Sequence, residues 1–165
     1  MKPALQSRLD TPSLQLFLRI QNAALEPEII GATLQLEPQH ALAGRARESA
    51  AGTPAAIGTR YWICELPVPT WRTLSEEHED RAAHAHALSP FTREDVAKYR
   101  DATSHDWIVL GWLKKLSAHE ELLRSIVADG GSVALLVSSL RAGSPVQLRR
   151  SLAELARLDI ELELL

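Results

Sequence analysis

Three features of the chain predict an α+β fold in which a single mixed or antiparallel sheet is covered by helices. Two stretches share one order of elements: a strand, a proline at a helix start, apolar residues at +3 and +7 from that proline, then a second strand. In the first, Leu14 to Ile20 precede Pro27, with Ile30 and Leu34 following; in the second, Val133 to Leu140 precede Pro145, with Leu148 and Leu152 following. The third feature is the final segment, where Ile160, Leu162 and Leu164 alternate with Glu161 and Glu163. Such alternation buries one face and leaves the other in water, as in an open antiparallel or mixed sheet. Duplicated βα-strand units with a helical insertion between them, each making the usual right-handed crossover, interleave in a ferredoxin-like arrangement. The first and third strands are then central, and the second and fourth lie at the edges.

Each element follows from local pattern. Residues 1–12 read as an N-terminal arm. Leu14, Leu16, Leu18 and Ile20 alternate with Gln15, Phe17 and Arg19, which predicts a strand over 14–20 with one strongly buried face. Phe17 on the other face implies that this side is partly covered too. Pro27 suits the first turn of a helix over 27–36, since its missing N–H has no intrahelical partner to lose. Ile29, Ile30, Thr33 and Leu34 form its expected packing face, and Pro38 stops it. Residues 37–59, rich in Ala and Gly with Pro54, read as a long surface loop.

Strand character returns over 60–66 with Tyr61, Trp62, Ile63 and Leu66, and Pro67 and Pro69 end it. Residues 73–90 form an acidic and His-rich connection. Thr92 and Asp95 resemble a helix N-cap signal, and Ser117 with Glu120 has the pattern of a capping box. Val109, Leu113, Leu116, Leu123 and Val127 predict two packed helices over 105–116 and 118–128, with Trp107 and Trp112 adding buried area. Gly130 and Gly131 after Asp129 stop the second. Val133 to Val137 is apolar throughout, which marks a central strand over 133–140. A helix over 145–157 and a strand over 159–164 complete the chain.

Composition narrows the function classes. A length of 165 residues suits one domain spanning 1–165, with 45% apolar and 24% charged residues as in ordinary globular proteins. The net charge of −3 exerts no global pull on nucleic acid or anionic membrane. Two basic pairs stand out, Lys114 with Lys115 and Arg149 with Arg150. Both fall on predicted helices, where neighbours point apart, so they read as solvated faces and not as phosphate clamps. A single cysteine, Cys64, leaves no intramolecular disulfide and fits a reducing compartment. It is expected to be a small buried hydrophobe in a strand. Met1 to Asp10 hold no apolar core of signal-peptide length, and no run approaches a membrane span. A cytoplasmic location is expected.

Several residues together resemble a known family. Leu25-Glu26-Pro27-Glu28-Ile29-Ile30, then Leu36-Glu37-Pro38 with a Gly-containing loop and Trp62 in a strand, look like the first half of the bacterial domain-of-unknown-function family 4279. The helical pair around Trp107 to Val127 and the ending from Leu152 to Leu164 look like its second half. The resemblance implies an α+β fold in a bacterial cytosolic protein. It also implies a role as an immunity protein, encoded beside a secreted toxin.

Catalytic signatures are sparse. His84 and His86, with His78 and Asp80 nearby, carry suitable zinc or nickel donors, but no fixed-spacing motif completes a site. The plainer reading is a solvated linker, and no metal, cofactor or catalytic residue is assigned. His105 and Asp106 suit a helix start, where a carboxylate favours the dipole. The candidate partner surface is acidic: Glu76, Glu77, Glu79 and Asp80 place four negative charges within five residues. That surface suits a toxin with a basic active-site groove, such as one that attacks nucleic acid. The expected function is therefore non-enzymatic: binding and neutralising a cognate toxin by blocking its active site. The alternative is a small-ligand or metal-binding regulatory domain.

Overall fold

The computed structural model describes residues 14–38, 40–42, 60–68, 90–92, 94, 95, 98, 105–139 and 146–165. The arm at 1–12, most of the 37–59 loop and the connection at 73–89 lie outside these residues, and Pro145 does too.

β1 (Leu14–Gln21) alternates as its sequence requires: Leu14, Leu16, Leu18 and Ile20 are at most 1% exposed, while Gln15, Phe17, Arg19 and Gln21 are half-buried. α1 (Pro27–Leu34) follows, with proline in its first turn. Gln35 ends it in a left-handed conformation (φ 54°), which lets Leu36 N–H reach back to the Gly31 carbonyl at 3.0 Å. The helix therefore closes before Pro38 can act. Its packing face is Ile30 and Leu34. Ile29, expected on that face, is 50% exposed, and Thr33 is exposed and donates its hydroxyl to the Ile29 carbonyl.

A three-residue strand, β2 (His40–Leu42), lies inside the segment expected to be a loop. It pairs antiparallel with β3 (Tyr61–Leu66). α2 (Asp106–Ser117) and α3 (Glu120–Ala128) fall within two residues of their predicted bounds. The Ser117–Glu120 capping box does not form. Ser117 instead ends α2 and donates to the Lys114 carbonyl at 2.6 Å. Gly130 closes α3 at φ 87°, with Gly131 N–H on the Ile126 carbonyl. β4 (Ser132–Ser139) is the apolar strand, and Val133 to Val137 are all buried.

The second helix–strand unit is offset from its prediction. α4 (Ser151–Arg157) starts six residues beyond Pro145, and Leu148 precedes it. Leu148 is still buried, but Leu152 points outward at 54% exposure, and Leu155 takes its place in the core. Asp159, at φ 54°, turns the chain into β5 (Glu161–Leu164).

The sheet is single, mixed and open, with order β2-β3-β1-β4-β5. β1 is antiparallel to both β3 and β4, while β4 and β5 are parallel. β1 and β4 are central, as expected, but the edges are exchanged relative to the interleaved ferredoxin-like order. β3 sits beside β1, and β5 sits beside β4. In the first unit the strand parallel to β1 is the short β2, and β3 returns as an antiparallel strand between the two. One core cluster joins the Leu14–Ile20 face of β1 with Trp62, Cys64, Leu66, Val133, Leu135, Val137 and side chains of α1, α2, α3 and α4. The helices thus cover one face of the sheet. On the other face Arg19 forms a two-point ion pair with Glu163, crossing β4 above buried Ala134 and Leu136.

A basic groove between a helix and a turn

α2 is two-faced. Ile108, Val109, Trp112, Leu113 and Leu116 enter the core, whereas Trp107, Leu110, Gly111 and Lys114, at i, i+3, i+4 and i+7, line an open groove of about 940 Å³. Its opposite wall is the turn before α4, with Gln147, Arg149 and Arg150, and Pro90 and Asp95 close one side.

Asp106 fastens these walls together. Its carboxylate accepts the Arg150 N–H at 2.8 Å, the Ser151 N–H at 2.9 Å and the Ser151 hydroxyl at 2.6 Å. Asp106 sits in the first turn of its own helix, as the sequence reading has it, but the helix its side chain caps is α4. This explains why α4 starts at Ser151: the N–H groups that begin it are taken by a carboxylate 45 residues earlier in the chain. The Ser–Asp contact is structural, because Ser151 is 0% exposed and no substrate reaches its hydroxyl.

The aromatic cluster behind Trp107 depends on a glycine. Phe91 packs edge-on against Trp107 and Trp112, with ring centroids 5.6 and 6.3 Å apart. A Cβ on Gly111 would lie 2.5 Å from the Phe91 ring. Trp112 is fully buried and donates its indole N–H to the Pro67 carbonyl at 2.9 Å. Lys115 Nζ lies 5.3 Å from the Trp112 ring centroid, a cation–π contact, and burial lowers its pKa.

Four cations, Lys114, Lys115, Arg149 and Arg150, share the groove with two carboxylates. Both carboxylates are engaged: Asp106 as above, and Asp95 by the Thr92 N–H and hydroxyl, each at 2.9 Å. The Thr92–Asp95 cap expected from the sequence is thus formed, and Asp95 N–H returns to the Thr92 hydroxyl. The side chains of Lys114, Arg149 and Arg150 have no carboxylate partner among the described residues. The other described arginines contrast with them: Arg19 pairs with Glu163, Arg60 with Glu26, and Arg124 and Arg157 with Glu120.

The two basic pairs read as solvated helix faces are therefore brought to one site, and Arg149 and Arg150 lie in a turn and not on a helix. Cys64 is buried as expected, and burial, reinforced by Glu65, pushes its thiol up to about 11. That thiol is no nucleophile at neutral pH. Glu76, Glu77, Glu79 and Asp80 lie outside the described residues, as do His78, His84 and His86. Among the described residues no group of three or more His, Cys, Asp or Glu is placed to hold a metal, and no helix is long and apolar enough to cross a membrane. No family model matches the chain, and neither a curated protein nor a solved structure matches it.

Proposed function

We propose that this protein works by binding a macromolecular partner, and that the partner is a bacterial toxin which it neutralises inside the cell. The observation that carries the binding reading is the groove between α2 and the turn before α4. It offers apolar surface and, among the described residues, three cations without a carboxylate partner (Lys114, Arg149 and Arg150), while the Asp106 carboxylate holds the walls together. Charge and contact area are what a docking surface needs, and activated side chains are what a catalyst needs. The toxin as partner comes from the family resemblance. The acidic residues Glu76, Glu77, Glu79 and Asp80 are proposed as a second contact, facing a basic active-site groove on the toxin.

The test is co-expression with the product of the adjacent gene. A tight one-to-one complex that suppresses toxicity is expected. Reversing Glu76, Glu77, Glu79 and Asp80 to Lys slows association at low salt. Absence of any complex removes the immunity reading, and an unchanged association rate removes the acidic contact. A second reading, a regulatory domain for an anionic small ligand, is favoured by the groove volume of about 940 Å³, which lies within the range of small-molecule sites.

A further inference from the structure

We infer that the groove between α2 and the turn before α4 receives an acidic segment of a partner protein, with carboxylates about two helical turns apart and an apolar side chain between them. The inference rests on reading the groove as a binding surface, and adds the chemistry of what fills it.

Charge is the first ground. Among the described residues every arginine outside the groove is held by a glutamate, whereas Arg149, Arg150 and Lys114 within it are not. The groove's own acids form no ion pair with them: Asp95 accepts from Thr92, and Asp106 accepts from the Arg150 N–H and from Ser151, which leaves four cations against two carboxylates in the groove. Guanidinium groups bind carboxylates through two parallel hydrogen bonds, so the arginine pair suits a carboxylate well.

Spacing is the second. The Arg150 backbone is fixed at the first residue of α2 through Asp106, and Lys114 lies eight residues further along that helix. At 1.5 Å per residue the backbone points that carry Arg150 and Lys114 lie about 12 Å apart along α2, with Trp107, Leu110 and Gly111 between them. A helix laid in a groove matches that pattern, with acids two turns apart and an apolar residue between.

The chain's overall charge is the third. A net charge of −3 repels a long polyanion at a distance but only weakly opposes a short acidic element. Trp107 is the one aromatic ring lining the groove among the described residues, so successive nucleotide bases find no stacking platform there.

The experiment is an NMR titration of the isotope-labelled full chain at low salt with a synthetic helical peptide. The peptide carries glutamates two turns apart with leucines between them. Its comparators are the same peptide with glutamines, a short oligothymidylate and ATP. The acidic peptide should shift the amides of 106–115 and 147–151 to saturation, and the glutamine peptide should not. Both R149Q/R150Q and K114Q should weaken binding by about tenfold or more, with amides outside the groove unmoved. No shift in the groove, shifts confined to another surface, equal binding of the glutamine peptide, or tighter binding of oligothymidylate or ATP would each overturn the inference. If the peptide fails while the adjacent gene's product still binds, the partner-binding reading stands and the acidic-segment inference falls.

Discussion

Replacing Asp106 should be the most damaging single change at the groove. Its carboxylate accepts three hydrogen bonds at 2.6 to 2.9 Å from donors on the turn before α4 and on α4 itself. Asp106 is 8% exposed and Ser151 0%, so water cannot readily replace the lost acceptor. A hydrogen bond to a charged group is worth about 1.5–3 kcal/mol, and loss of a helix cap alone costs about 1 kcal/mol. The three bonds do not add in full, because removing Asp106 also relieves the cost of burying its own charge. A net loss of about 3 kcal/mol is expected for Asp106→Ala. Asp106→Asn keeps one acceptor oxygen and should lose about half as much, on the order of 1.5 kcal/mol. Urea denaturation of the wild type and both variants, with Ser151→Ala to complete a double-mutant cycle, measures these values. At about 2–4 °C per kcal/mol for a chain of this size, Asp106→Ala should also lower the melting temperature by about 9 °C. Equal stability of the Ala and Asn variants, or an Ala variant within about 1 kcal/mol of wild type, would refute the capping role.

Three further outcomes are expected. Gly111→Ala drives a methyl group into the Phe91 ring and should cost about 1–3 kcal/mol, with a changed near-ultraviolet tryptophan signal; an unchanged signal and stability would show that the ring moves freely. Glu163→Gln weakens the partner of Arg19, whose side chain is 19% exposed, and should cost about 1–2 kcal/mol, whereas replacing both residues with leucine should recover most of that loss; a double variant less stable than the single one would contradict this. Cys64 should resist iodoacetamide at neutral pH unless denaturant is present. Because its thiol is raised from 9.0 to about 11, the unfolded chain releases this proton first, so the associated stability is present below pH 9 and is lost as pH rises through about 11; stability that increases over that window would reverse the assignment.

Strong periodicity made most of the fold legible. Leu14, Leu16, Leu18 and Ile20 specify β1, and the unbroken apolar run from Val133 specifies β4, because burial on one face or two leaves a direct mark on sequence. β2 left no such mark, since three residues are too few for a period to register. The edge order was equally hidden. Which side of β1 receives β3 depends on the path between them, and no residue pattern within either strand encodes it. Pro145 points to an earlier start for α4 than the one observed, because the actual start is set by Asp106, a contact 45 residues away. The groove leaves no local mark for the same reason. Lys114, Lys115, Arg149 and Arg150 were visible as basic pairs, but judging each pair by its immediate neighbours could not show that α2 meets the turn before α4.

Amide hydrogen exchange of the full chain, free and in complex with the adjacent gene's product, tests the groove as a binding site most directly. The groove reading predicts slower exchange on binding across residues 106–115 and 147–151, which line it. Complex formation with unchanged exchange in both segments would contradict it.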